Sequence, residues 1–360
     1  MPGEGSRLVR TIAIVFLSLF TAVACDPGEN RVEVRVVVIT MFERGDVHDN
    51  EPGELQLWVQ KLGLDTEYEF PLGKNVLRMN DDGVMAILVG GGIPNATASI
   101  MALGLDERFD FTKTYWLVAG IAGGDPENLS LGSAAWARHV VDGDLAYEID
   151  AREIPDSWPY GMVPLGLDRP TTNPDDLKGS WAYDTIAYSL NTGLVDWAYA
   201  LTKDADLGDA PGIMAYREHY QTYPNAQRPP FVTIGDTISS STYWHGKMMN
   251  RWANDWVRLY RGEAAEFMTS NMEDSGTLTA LHRLDQAGLV DKERLLVLRT
   301  VSNFTMPPEG QTAQWSKKQP YPDNGLPSFE SAFIVGNIVV QALLAGWDEY
   351  RLSLPEPDAP

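Results

Sequence analysis

The apolar and polar positions divide the chain into alternating strand-like and helix-like stretches. "VEVRVVVIT" (Val32–Thr40) is rich in β-branched residues and bounded by polar ones, which predicts a first strand. "PGELQLWVQKLG" (Pro52–Gly63) carries Leu55, Trp58, Val59 and Leu62 at helical spacing and stops at a glycine. "GVMAILVGGGIPNATASIMALGL" (Gly83–Leu105) predicts a strand, a glycine turn and a helix, and "TYWLVAGIAGG" (Thr114–Gly124) a strand ending in glycines. Further on, the pattern predicts a helix over Ala182–Asp204 and a strand over Phe231–Thr237 that leads into a loop. An aromatic-rich helix over Tyr243–Tyr260 follows, then a helix over Asp274–Ala287, a strand over Arg294–Ser302 and a closing helix over Phe329–Tyr350. Such alternation predicts an α/β fold, a mixed or largely parallel central sheet with helices on both faces. It reads as one domain over residues 32–350 with a disordered tail over 351–360. Two proline-rich stretches, Ile154–Pro174 and Met306–Pro327, predict long surface loops.

One stretch lies outside this alternation. Arg7 and Arg10 precede "TIAIVFLSLFTAVA" (Thr11–Ala24), a 14-residue apolar run too short for a membrane span and read as an export signal over residues 1–24. Two cleavage readings stand. Ala22-Val23-Ala24 is an A-x-A site, and Ala-Val-Ala-Cys resembles a lipobox with Cys25 as the lipidated residue at the head of a linker, 25–31. Most lipoboxes carry Leu where Ala22 stands, yet Cys25 is the single cysteine of the chain, and lipidation explains a cysteine at that boundary better than packing does. The expected location is therefore periplasmic or cell-surface, with membrane attachment only through a lipid anchor. "FIVGNIVVQALLAGW" (Phe333–Trp347) reads as a buried core helix because it is short and holds Asn337 and Gln341.

Charge narrows the partners. There are 28 Lys and Arg against 50 Asp and Glu, a formal charge of −22. Such a surface repels nucleic acid, which is set aside as a partner. His48, His139, His219, His245 and His282 show no metal-pair spacing, so no metal or cofactor is expected.

Candidate chemistry begins at "TSNMEDSGTLTAL" (Thr269–Leu281), where Met272, Glu273 and Asp274 sit at the joint between a short apolar stretch and a helix. Ser270 and Glu273 have capping-box spacing. A carboxylate there can equally accept hydrogen bonds from neighbouring hydroxyls, as on a ribose, beside the adaptable apolar surface of a methionine. The runs "LVGGGIPNAT" and "VAGIAGG" each follow a strand, where glycine permits tight turns and close ligand approach.

In order, "GGGIPNAT", "AGIAGGDPENLSLGS", "IGDTISSSTYWHG", "NMEDSGTLTAL" and "RTVSNFT" resemble the nucleoside phosphorylase and nucleosidase superfamily, and within it the purine nucleoside permease family. "VVVITMFERGDVHDNEPGEL" and "GDTISSSTYWHG" look like segments of that family. The resemblance covers about Val36 to Phe304. It implies a three-layer α/β/α nucleoside phosphorylase-like fold with a central mixed sheet and a purine nucleoside as ligand. It implies that Met272 and Glu273 hold the ribose, that Tyr243 and Trp244 lie near the base, and that Gly91, Gly92, Gly123 and Gly124 line the pocket through their backbone. Asn303 falls where relatives contact the purine edge, many of them with Asp, and Glu43 falls near the acid with which nucleosidases position water. An asparagine cannot act as a general acid, although its amide can donate a hydrogen bond. Phosphorolytic relatives ring the phosphate with arginines, and here only Arg44 is in range. The resemblance thus implies a nucleoside-binding protein that aids uptake, or alternatively an exported enzyme that cleaves the N-glycosidic bond by water rather than by phosphate. A second copy of the chain and a separate membrane transporter remain open as partners.

Overall fold

The computed structural model describes residues 31–49, 51–178 and 185–357. The export signal, Cys25 and most of the linker lie outside the described residues. Seven strands build the principal sheet: β1 (Val36–Thr40), β2 (Val84–Leu88), β3 (Tyr115–Gly124), β4 (Ala134–Asp142), β5 (Val232–Ser239), β6 (Phe267–Asn271) and β7 (Leu295–Phe304). β1 and β2 are buried along their whole length, as unbroken apolar runs in a sheet covered on both faces should be. β1 lies parallel between β2 and β3. β3 runs parallel to β7, and β7 pairs antiparallel with β4 through Leu298 opposite Trp136 and Arg299 opposite Ala135. β4 and β5 are parallel, β5 and β6 are parallel, and β6 returns to β3 through Thr269 opposite Gly124 and Ser270 opposite Gly123. Strands β3, β7, β4, β5 and β6 therefore close into a ring at one end of an otherwise open mixed sheet. The hairpin of Thr66–Tyr68 and Leu77–Met79 extends the sheet beyond β2, and Ala187–Ser189 extends it beyond β4.

Besides the further short helices Pro211–Arg217, Ala313–Lys317 and Trp347–Tyr350, the helices that pack the sheet are α1 (Gln56–Leu62), α2 (Ile93–Gly104), α3 (Thr192–Thr202), α4 (Lys247–Arg261), α5 (Asp274–Gln286) and α6 (Leu326–Ala345). They cover the two faces of the sheet, in agreement with the α/β/α architecture that the resemblance implies. α6 has 20 residues, longer than its apolar core suggested. With the turn before it, Pro322–Ala345 is long and apolar enough to cross a bilayer. Half of its most apolar part is buried within the protein, where Val335, Val339, Val340 and Leu343 join the main core and Phe333 meets Trp58 edge-on at 5.1 Å.

Several boundaries differ from those the pattern predicts. The first strand breaks at Val34–Arg35, and Val32–Glu33 pairs instead with Phe109–Asp110. The helix expected from Ala182 begins at Thr192, because Asn191 caps it by accepting a 3.0 Å bond from the Leu194 amide, and Ala187–Ser189 is extended. The aromatic-rich helix begins at Lys247, after Gly246 takes φ 140°, so Tyr243, Trp244 and His245 lie on the loop before it. β4 is absent from the pattern reading, since its alanines make a weak strand signal. In the tail, Leu354 packs on the core and Pro355 is buried.

Candidate functional site

A cavity of about 390 Å³ opens where the carboxyl ends of β1, β3, β6 and β7 converge. Its floor is ionic. Arg299, in the middle of β7, is fully buried: its Nε donates to Asp274 Oδ2 at 3.1 Å, its Nη2 donates to Asp274 Oδ1 and, at 3.2 Å, to Glu273 Oε2, and its Nη1 donates to the Ile121 carbonyl at 3.0 Å. Glu273 is also buried. Its Oε1 accepts from the Gly92 amide and its Oε2 from its neighbour Met272, both at 3.2 Å. Burial raises the Glu273 pKa; Arg299 opposes the rise and Asp274 adds to it. Gly92 can turn its amide toward this carboxylate because it sits at φ 92°, a conformation open to glycine.

A second carboxylate faces the cavity. Glu54 is buried, with Oε2 accepting from the Met41 amide at 2.7 Å and Oε1 from the Ile121 amide at 2.8 Å. Burial pushes its pKa up to about 7 against the attraction of Arg299, and the nearby Glu273 adds to the rise. Gly120 leaves room for this crowding: a Cβ there would lie 2.7 Å from Arg299 Nη1 and 2.9 Å from Glu54 Oε1.

Opposite the acids stands an aromatic and amide wall. Asn303 Nδ2 donates to the Tyr243 hydroxyl and to the Phe304 carbonyl, each at 3.1 Å, and Asn303 Oδ1 accepts from the Ser302 hydroxyl at 3.1 Å. Tyr321 lines the cavity beside Tyr243, so the proline-rich segment 306–327 supplies part of the wall. Burial raises the Tyr243 pKa well above the usual phenol range. Trp244 lines the cavity and also belongs to the core, meeting Trp252 edge-on at 5.6 Å and Phe267 at 6.0 Å. Phe42, Met41 and Met272 complete the apolar surface.

Of the residues expected at a site, the structure brings Gly91, Gly123, Tyr243, Trp244, Met272, Glu273 and Asn303 to this one cavity. Gly92 acts behind it through Glu273. Gly124 stands in the strand ladder, where its carbonyl accepts from the Thr305 amide at 2.9 Å. Glu43 does not face the cavity. Its carboxylate accepts from the amides of Gly53, Leu55 and Gln56, and so holds the start of α1. An acid before a helix is drawn to its unpaired amides, and Glu54, eleven positions along, is the acid that the cavity receives. Nor do Ser270 and Glu273 form a capping box: Asn271 Oδ1 accepts from the amides of both Glu273 and Asp274, which leaves the Glu273 side chain to the cavity. Glu54, Arg299, Met41 and Tyr321 escaped the sequence reading. Arg299 had a signal, a lone charge inside the apolar run "LLVLRTVS".

The histidines are apart from this floor. His139 pairs with Asp236 at 2.7 Å, His219 meets Trp315 edge-on at 5.2 Å, and His282 meets Tyr188 edge-on at 4.8 Å. His245 lies behind Asn303, where burial and Lys317 lower its pKa. Among the described residues no group of three or more His, Cys, Asp or Glu could hold a metal ion.

An α/β sheet closed at one end, with an acid-floored cavity at its strand ends, defines the nucleoside phosphorylase/nucleosidase class of fold. Solved structures of that class match the chain. The 5′-methylthioadenosine/S-adenosylhomocysteine nucleosidase of Helicobacter pylori superposes with a TM-score of 0.51 at 15% identity, over 86% of this chain and 99% of that one. A putative nucleosidase of the same description from Francisella philomiragia gives 0.50 at 14%, over 85% and 99%. At such identity the likeness shows the fold alone. The family described as purine nucleoside permease (NUP) matches residues 33–355, and the chain belongs to it. The purine nucleoside permease of Candida albicans is 31% identical over 271 residues, 74% of this chain and 65% of that protein. A probable purine nucleoside permease of Schizosaccharomyces pombe is 35% identical over 226 residues, 61% and 64%. The match thus spans just under two thirds of these relatives' length.

Proposed function

We propose that the cavity binds a purine nucleoside, with the ribose against Met272 and Glu273 and the base against Tyr243, Trp244 and Asn303. The observation that carries this reading is the Glu273 carboxylate, which lines an otherwise largely apolar pocket and is fixed by Arg299 and two backbone amides. Oε1 has a single protein donor and so keeps acceptor capacity for a sugar hydroxyl. The relatives' names supply the physiological setting, nucleoside uptake. In that setting the chain is an exported binding component acting beside a separate membrane transporter.

Glu54 favours a second reading, cleavage of the bound nucleoside by water. Its pKa of about 7 makes it available as a general base near neutral pH, and it shares the cavity with Glu273. Phosphorolysis has less support. Two arginines line the cavity; Arg299 is engaged by its acids, which leaves Arg44, whose guanidinium lies 5.1 Å from the Phe329 ring. Incubation with inosine, adenosine and guanosine separates the readings. Free base without phosphate supports hydrolysis, free base only with phosphate supports phosphorolysis, and binding without release supports the binding component alone. Absence of binding removes the nucleoside reading.

Glu273→Ala is expected to weaken nucleoside binding by one to two decades and leave free-base binding nearly unchanged. A charge-assisted hydrogen bond contributes roughly 1.5–3 kcal/mol, and each 1.4 kcal/mol is about tenfold in affinity. Titration of inosine and hypoxanthine checks this, and equal losses for the two ligands take Glu273 out of the ribose role. Export and lipidation are a further part of the proposal. Cys25→Ser is expected to move the mature protein from the membrane fraction to the soluble exported fraction, because Cys25 directly follows the apolar segment. Soluble export of both forms overturns the lipid anchor.

A further inference from the structure

Two leucines stand out of the surface at one place, away from the cavity. Leu72 is 78% exposed and Leu105 is 58% exposed. A turn holds Leu72 outward. The Gly73 amide donates to the Phe70 carbonyl at 3.0 Å, Pro71 presets the turn's first corner, and the buried Phe70 ring lies over Gly73, where any side chain would collide with it. Leu105 follows the last residue of α2. Pro71, Leu72 and Leu105 line one shallow surface hollow of about 390 Å³ together with Phe70 and Ala102. Arg108 ties its two sides together: Nη2 donates to the Glu69 carbonyl at 2.9 Å, and the guanidinium is paired with Asp106. Singly exposed apolar side chains are ordinary, but large ones gathered on one patch mark a contact surface.

The chain enters the fold on the same flank. The Val32 amide donates to the Arg108 carbonyl at 2.9 Å, and Val32–Glu33 pairs with Phe109–Asp110. Six residues, Asp26–Arg31, separate Val32 from Cys25. A chain spans at most about 3.6 Å per residue, so Val32 stands within about 25 Å of an acylated Cys25. We infer that this flank seats on a lipid bilayer, with Leu72 and Leu105 as its apolar contacts. This rests on the lipid-anchor reading above. Two leucines alone do not hold a soluble protein to a membrane. A tether makes the contact intramolecular and raises its effective concentration to roughly millimolar. The net charge of −22 opposes anionic headgroups, and the Arg108 charge is already met by Asp106, so the seat is apolar and suits zwitterionic lipids. α2 begins at the residue after Gly92, behind the cavity, and its 12 residues carry the chain about 18 Å to Leu105. A bilayer seated at that far end leaves the cavity open to water.

Hydrogen exchange on the tethered protein tests this. Cys25, the single cysteine, is coupled through a maleimide-bearing lipid to phosphatidylcholine vesicles, which supplies the anchor whether or not the cell acylates it. The amides of residues 72–74 and 103–108 are expected to exchange about tenfold more slowly on vesicles than in free protein. Those of α4, which packs on β4, β5 and β6 at the other edge of the sheet from the hairpin, are expected to be unchanged. Phosphatidylglycerol vesicles are expected to give less slowing. Leu72→Asp combined with Leu105→Asp is expected to abolish the slowing and leave the urea midpoint where it is in wild type, since both side chains are exposed. Equal exchange on and off vesicles overturns the inference, and so does slowing that survives the double substitution or is greater on phosphatidylglycerol. Slowing that appears without vesicles at high protein concentration also overturns it, by making a second copy the occupant. The Cys25→Ser fractionation judges the anchor and the exchange experiment judges the seat, so failure of one is distinguishable from failure of the other.

Discussion

Replacing Arg299 by methionine is expected to cost about 3–5 kcal/mol of folding stability, the loss typical when one partner of a buried ion cluster is removed. Arg299 is 1% exposed and Asp274 is fully buried, and the two share two hydrogen bonds. Methionine fills much of the volume but leaves the carboxylates of Asp274 and Glu273 without their cation and the Ile121 carbonyl without its donor. Burial works against the Arg299 charge, and Asp274 and Glu273 more than offset it. Urea unfolding of wild type and variant measures the difference. Arg299→Met combined with Asp274→Leu is expected to recover part of the loss, since it removes an unpaired charge together with its partner. The change also bears on chemistry. Arg299 lowers the Glu54 pKa, so without it Glu54 moves above about 7 and is ionised over a narrower range. A loss below about 1 kcal/mol, within the range of an exposed ion pair, would show that the cluster is not the clamp holding the floor together.

The contrast between Arg299 and Glu43 shows what was legible in the sequence. Alternating periodicity gave the α/β class, because strands β1 and β2 are unbroken apolar runs and α1 and α5 follow helical spacing. It could not give the ring, since closure depends on β4, whose alanines carry little strand signal, and on β6 meeting β3 at glycines 123 and 124. The ordered motifs singled out Met272, Glu273, Asn303 and Tyr243, which the structure brings to one cavity, each lying within two residues of a strand end or on the loop just beyond one. They failed for Glu43. Two acids eleven residues apart lie on the same connection, and which of them turns inward is decided by the unpaired amides at the start of α1, which draw Glu43 away. Tyr321 was out of reach for another reason: it enters the wall from a proline-rich loop, where no periodicity fixes what a side chain meets.

Glu54→Gln is expected to lower base release by 10²–10⁴-fold, the usual contribution of a positioned general base, with inosine affinity changed little. The expectation applies to the hydrolytic reading. In that chemistry a water attached to Glu54 by a hydrogen bond loses a proton to the carboxylate as its oxygen bonds to C1′. The C1′–N9 bond breaks and its electron pair leaves with the purine, which takes up a proton. Glu54 must be ionised to accept, so release by wild type should rise with pH through about 7, and the variant should lack that limb. Stability runs the other way. A carboxyl raised to about 7 holds a proton in the folded state that the unfolded chain has released, so its stabilising effect, full below about 4.5, is lost as pH rises to about 7. On the usual conversion this is on the order of 3 kcal/mol, and glutamine should abolish that slope. Glutamine carries one acceptor oxygen where two backbone amides, those of Met41 and Ile121, now each find one. The variant therefore starts with a stability deficit of about 1–3 kcal/mol that is independent of pH. Rate and affinity must be read together: loss of release with binding retained identifies Glu54 as the base, a parallel loss of both makes it a structural acid, and unchanged release takes it out of the reaction.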